Sequence, residues 1–261
     1  MMTGQDERLR KEEPMQENRR IAVLIDADNV SPKYIRHILD EIAAHGTPTY
    51  KRIYGDWTKP QMTEWKKVLL EYSVTPIQQY SYTTGKNATD SCLIIDAMDI
   101  LYSGNVEGFC IVSSDSDFTR LAARLRESGQ YVLGMGEKKT PRPFVVACEK
   151  FKYLETLMGA PVEPVIPSAP DKSPAPQVTA KARAELIEAI RTIVTETSDE
   201  DGWAYLANVG TLLSRRQPDF DSRNYGFTKL TPLVQSLGAF EFESRDTGIS
   251  NVKHNYIRNR E

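Results

Sequence analysis

At 261 residues the chain is long enough for two compact units or one large one, against a typical domain of ~150 residues. Its 40% hydrophobic and 26% charged residues fit a globular protein and exclude wholesale disorder or a fibrous architecture. A net charge of −3 excludes a strongly basic nucleic-acid coat protein, so any nucleic-acid binding must come from local patches or bound cations. No run approaches the ~18 apolar residues of a membrane span, and the opening "MMTGQDERLRKEEPMQENRR" lacks the apolar centre of a secretory signal. A soluble cytoplasmic protein without membrane association is therefore expected. Cys92, Cys110 and Cys148 show no C-x-x-C spacing and are expected to be buried thiols.

In chain order, residues 1–19 mix charges of both signs with almost no periodicity, as expected of a solvated tail. "IAVLID" (21–26) is a short apolar run that suits a strand buried on both faces. "SPKYIRHILDEIAAHG" predicts a helix with Ser31 as N-cap, Pro32 in the first turn, Ile35, Ile38, Leu39 and Ile42 inward, and Gly46 as the stop. A strand, "PTYKRIYG", and a helix, "MTEWKKVLLEYS", with Met62, Trp65, Leu69 and Tyr72 on one face, come next. A weaker strand near "TPIQQYSY" precedes the helix "TDSCLIIDAMDILYSG". The strand "FCIVSS" then runs into the helix "DSDFTRLAARLRESG", with Leu121, Ala122 and Leu125 inward and Gly129 at its end. "QYVLGMG" is a fifth strand and "PFVVACEKFKYLETL" a closing helix. This alternation predicts right-handed crossovers and an α/β, Rossmann-like three-layer unit with a mostly parallel sheet over residues 20–159.

Six of the fifteen prolines fall within residues 160–180, which predicts a semi-rigid, extended linker. Beyond it, over residues 181–261, "KARAELIEAIRTIVTET" carries Leu186, Ile187, Ile190 and Ile193 on one helical face. A short helix, a helix ending near Arg216, a loop around Pro218 to Tyr225 and a helix from about Phe227 to Leu237 follow. The end is expected to form a two-stranded hairpin around Asp246-Thr247-Gly248. Helices followed by a β-wing describe a small winged helix-turn-helix domain, with Trp203, Leu206, Leu212, Leu213, Leu230 and Leu233 as core.

In an open parallel sheet, ligands bind beyond the carboxyl ends of the strands, where the strand order reverses. Asp26 ends the first strand, and Asp115 and Asp117 follow the fourth; Asp90 follows the loop "TTGKNATD" and opens a helix. Four converging carboxylates repel, and a divalent cation relieves this without protonation. Oxygen-only donors favour Mg2+ or Mn2+ with waters retained. Such an ion activates water and neutralises the charge that develops on a phosphodiester. Asn29 is placed to orient a carboxylate or a water, and Lys86 to hold a phosphate. Asp28, two residues after Asp26, ranks below the four. Asp96 lies about 120° around the helix from Asp90, a supporting or solvated position. Asp90 and one member of Ser114 to Asp117 also fit helix N-caps, and only the joint placement of the acids favours chemistry. His37, His45 and His254 are expected to be structural or exposed.

"DADNV" also fits the nucleophile motif of haloacid-dehalogenase-like phosphatases, in which Asp26 would attack phosphorus and Asp28 would serve as acid/base. That alternative needs a Ser or Thr ending a middle strand and a Lys before the acid pair, where Lys86 is a poor fit, and no cap insertion follows the first strand. An EF-hand loop fails because Val30 would occupy a ligand position. In the C-terminal part, Arg215, Arg216, Arg223 and Lys229 outnumber Asp219 and Asp221, a local surplus suited either to phosphate contacts or to a solvated helix end.

"IAVLIDADNV", "GKNATDSCLIIDAMD" and "GFCIVSSDSDFTRLAARLRESG" resemble, in order and spacing, the signature blocks of the NYN domain, a branch of the PIN-like nucleases. The resemblance implies metal-dependent ribonuclease activity, with Asp26, Asp90, Asp115 and Asp117 as the acidic ligands of Mg2+ or Mn2+. "GWAYLANVGTLLSRRQPDFDSRNYGFTKLTPLVQSLGAFE" resembles the OST-HTH or LOTUS domain, which implies RNA as a partner and, in some eukaryotic members, a docked helicase. By that resemblance Arg215, Arg216, Arg223, Tyr225 and Lys229 are candidate RNA contacts, Tyr225 being equally suited to core packing. The combined expectation is a metal-dependent endoribonuclease with an RNA-binding module; a non-catalytic RNA-binding adaptor is the alternative.

Overall fold

A computed structural model describes residues 19–80, 88–159, 179–246 and 253–260. The tail up to residue 18, Lys86, residues 160–178 of the proline-rich stretch, and Thr247 and Gly248 of the hairpin turn lie outside the described residues. By compactness the chain divides between Leu133 and Gly134.

The central strand β1 (Arg20–Asp26) is buried from Ile21 to Asp26 and pairs in parallel with β2 (Thr47–Gly55) and β4 (Gly108–Val112). β3 (Thr75–Gln78) extends the sheet in parallel beyond β2. With β5 (Tyr131–Gly136) and β6 (Lys150–Tyr153) the order is β3-β2-β1-β4-β5-β6, so the sequence of strands reverses between β1 and β4. β1 and β4 are apolar at nearly every position because helices cover both faces of a parallel sheet. α1 (Ile35–Ala43) buries Ile35, Ile38 and Ile42; α3 (Ala88–Ser103) buries Leu93, Ala97 and Ile100. α4 (Thr119–Glu127) buries Leu121, Ala122 and Leu125, and Gly129, at φ +77°, lets the chain turn out of it. The α/β class with a mostly parallel sheet flanked by helices is as expected.

Local departures from the expected elements have visible causes. Ser31 and Pro32 start a 3-10 turn, Pro32–Tyr34, before α1, and Ser31 makes no side-chain cap. α2 (Thr63–Val68) stops short of Tyr72, because Val74 N–H folds back to the Leu69 carbonyl at 2.9 Å through Ser73 at φ +51°. The stretch expected as one closing helix is divided into α5 (Arg142–Ala147), strand β6 and α6 (Leu154–Leu157). Fully buried Phe151 occupies the space left by Gly134, where a Cβ would meet the Phe151 ring at 2.5 Å and Cys148 Sγ at 2.6 Å.

In the C-terminal part, α7 (Ala180–Thr197) is capped by Thr179 Oγ1, which accepts from Ala182 N–H at 3.2 Å. Where a short helix was expected there is instead β7 (Ala204–Tyr205), which pairs antiparallel with β9 (Lys253–Asn259). α8 (Leu206–Arg216), α9 (Leu230–Leu237) and β8 (Phe240–Asp246) complete it, with β8 also antiparallel to β9. α9 begins three residues later than expected, after Lys229 in an extended conformation. One core holds Leu186, Ile190, Val209, Leu213, Leu233 and Ile257 together, an arrangement compatible with a winged helix-turn-helix.

Candidate active site

The end of β1 delivers a carboxylate into the interior. Asp26 is 0% exposed, yet it is well supplied with donors. Ser113 Oγ and Asn29 Nδ2 each donate to Oδ2 at 2.7 Å, and the Asp28 N–H donates to Oδ1 at 3.1 Å. Ser113 follows β4 directly, and its Oγ also accepts the Asp115 N–H at 3.0 Å. One hydroxyl thereby ties the ends of the two central strands together. Burial raises the Asp26 pKa above the ordinary carboxylate range, the Asp28 charge adds to this, and the three donors oppose it.

Asp90, Asp115 and Asp117 each offer a carboxylate oxygen, all within 4.8 Å of one another. Asp115 caps the 3-10 turn Ser116–Phe118, its Oδ1 accepting the Asp117 N–H at 2.9 Å, so the cap and the cluster are one arrangement. Asp90 is no cap: it lies inside the first turn of α3, which starts at Ala88. Its pKa is pushed up to about 6, first by burial and then by the charges of Asp26, Asp115, Asp117 and Asp28. Three half-buried to exposed carboxylates without Cys or His suit a hard divalent cation that keeps several waters. Asp26 is not among the three, and its oxygens are occupied by the donors named above; it bears on the group through its charge at Asp90.

The residues expected to support the acids are distributed as follows. Asn29 orients Asp26 directly. Asp28 is exposed and accepts from Thr89 Oγ1 at 3.1 Å, which links the end of β1 to the first turn of α3. Asp96 serves the fold elsewhere, pairing with Arg52 and accepting from the Tyr54 hydroxyl. Burial and the Asp96 carboxylate push the Tyr54 pKa far up, so this phenol remains a donor. Ser113 is a residue that sequence reasoning did not single out; its signal is its position as the first polar residue after the apolar run of β4.

Of the candidate RNA contacts, Arg215, Arg216 and Lys229 are exposed. Arg216 pairs with Glu196, and Arg223 Nη2 holds Asp221 Oδ2 at 2.7 Å. Tyr225 packs against the C-terminal core, its ring centroid 6.2 Å from that of Phe220. Only part of the charge surplus counted along the sequence is thus presented outward.

The NYN domain model matches residues 20–155 and the OST-HTH/LOTUS domain model residues 177–252. Among solved structures, a protein of unknown function from Vibrio parahaemolyticus shares 18% identity, covering 51% of this chain and 91% of its own, at a TM-score of 0.43. An uncharacterized protein from Nitrosomonas europaea shares 30% identity, covering 40% of this chain and 90% of its own, at a TM-score of 0.27. No curated protein matches the chain. Acids brought to the reversal point of a parallel sheet and the match over residues 20–155 agree: the chain belongs to the NYN domain family, nucleases of PIN-like fold, and carries an OST-HTH/LOTUS domain on its C-terminal side.

Proposed function

We propose that the protein is a metal-dependent endoribonuclease, with a nuclease domain over residues 20–159 and an RNA-binding module over residues 181–261. The observation that carries this reading is the convergence of Asp90, Asp115 and Asp117, with the Asp90 pKa pushed up to about 6 by burial and by the neighbouring carboxylates. These three would hold Mg2+ or Mn2+, which when bound supplies an activated water and neutralises charge on the scissile phosphate. The remaining steps belong to the chain. Asp115 is aimed by the Asp117 N–H on its carboxylate and by its own N–H on Ser113 Oγ. Asn29 and Ser113 donate to Asp26 and fix its carboxylate in the interior beside the group, opposing the upward pull of burial on its pKa. Exposed Arg215 and Lys229 would bind RNA phosphates.

The phosphatase alternative requires Asp26 to reach a phosphorus atom, whereas its carboxylate is fully buried and its oxygens are engaged by three donors. The test is cleavage of a labelled single-stranded RNA with Mn2+ by the wild type, Asp90→Asn and Asp115→Asn. Each substitution is expected to lower cleavage by at least ~100-fold while RNA affinity stays within about twofold. Unchanged cleavage by Asp115→Asn overturns the reading, as does hydrolysis of a small phosphomonoester in place of RNA. Absence of turnover by the wild type with intact RNA affinity favours the adaptor.

A further inference from the structure

Strand β6 is the last in the sheet order, and an edge strand leaves backbone groups that need partners. One of them is met from the OST-HTH segment: the Phe151 N–H donates to the Pro218 carbonyl at 2.8 Å. Around this bond the two segments meet through complementary charge. Lys152 Nζ lies 2.5 Å from Asp221 Oδ2, with side chains only 14% and 11% exposed. Arg223 closes on the same carboxylate through Nη2 at 2.7 Å and Nε at 3.0 Å. Two residues earlier, Asp219 accepts from Arg142 Nη1 at 2.8 Å and from the Tyr153 hydroxyl at 3.0 Å. Thr156 Oγ1 donates to Asn224 Oδ1 at 2.8 Å, and the Asn224 amide returns to the Asp219 carbonyl at 2.9 Å.

We propose that residues 218–224 form a clasp that docks the OST-HTH module onto strand β6 of the NYN segment, so that the module is held in place and not freely tethered. The observations favour this chain's own edge strand as the partner of the loop. The cations and hydroxyls come from residues 142–156 and the acids from residues 219–221, and one main-chain bond fixes the register. A mostly buried ion pair is costly to leave half-made, so the clasp closes as a unit. Burial alone would raise the Asp221 pKa, but the Arg223 hydrogen bonds and the Lys152 charge outweigh it and hold the carboxyl well below the usual range, which agrees with a closed clasp. Arg223, though partly exposed, is thereby engaged by Asp221, and the loop that carries it serves docking. None of this depends on whether the chain cleaves RNA.

The test is 15N relaxation on the full chain without RNA. Amides of residues 180–246 and 142–156 are expected to share one rotational correlation time. Lys152→Glu is expected to shorten the time of residues 180–246 to roughly half, as for an independent small domain, and to raise the radius of gyration in X-ray scattering. Lys152→Arg, which keeps the cation facing Asp221, retains the wild-type values; Arg223→Ala loosens the clasp, and Arg215→Ala does not. Two separate correlation times in the wild type overturn the proposal, whatever the variants do. Unchanged tumbling in Lys152→Glu overturns it as well.

Discussion

Ser113 Oγ donates to a buried carboxylate and accepts from the backbone of the next acid, so its loss is felt twice. Ser113→Ala leaves Asp26 buried with one donor fewer and is expected to cost about 1–3 kcal/mol in urea unfolding. If Ser113 only filled space, the cost would be a few tenths of that. Asp90 carries a pH signature in the metal-free protein. Its folded pKa of about 6 lies above the unfolded value of ~3.9, so the folded state binds the proton more tightly. In chelator, stability is therefore expected to fall as pH rises from about 4 through about 6, by about 1 kcal/mol once solvent screening is allowed for. Asp90→Asn reduces this slope, leaving what buried Asp26 contributes, and raises Tm at pH 7, both measurable by thermal melts in EDTA. Added Mn2+ is expected to raise the Tm of the wild type and not that of Asp90→Asn.

At the scale of elements, the division of the expected closing helix turns on one packing contact. Lys150-Phe151-Lys152-Tyr153 alternates along a strand, and this period-2 pattern is present in the sequence, but it sits inside a longer stretch that also suits a helix. What selects the strand is the cavity over Gly134, which a buried Phe151 ring fills. Gly134→Ala forces that ring and Cys148 aside and is expected to destabilise by about 1–3 kcal/mol in denaturant unfolding. A neutral result would mean that the pairing of β6 has another origin. The β7 segment has a similar explanation: two residues gain strand geometry only by pairing with β9, some fifty positions away.

For the whole molecule, net charge and fold put opposite demands on nucleic-acid binding. The chain is acidic overall, so the proposed RNA binding rests on a few outward cations. Arg215→Ala and Lys229→Ala are each expected to weaken RNA binding and to reduce the slope of log affinity against log salt by about 1. Arg216→Ala, whose guanidinium already pairs with Glu196, is expected to change that slope less. Fluorescence anisotropy over a salt series separates the two outcomes.

The sequence by itself determined the strands β1 and β4, the helices between strands, and the presence of acids at two strand ends, because apolar runs and helical periodicity are local properties. It also carried both family resemblances, since those rest on motif order. Only the tertiary structure decided that Asp90, Asp115 and Asp117 share one reach while Asp26 is engaged by Ser113 and Asn29, and that Asp96 belongs to Arg52 and Tyr54. Likewise, it turned Arg223 and Asp221 toward Lys152. The physical reason is the same in each case: a carboxylate's role follows from which donors and charges lie within a few ångströms of it, and those partners come from chain positions tens of residues apart.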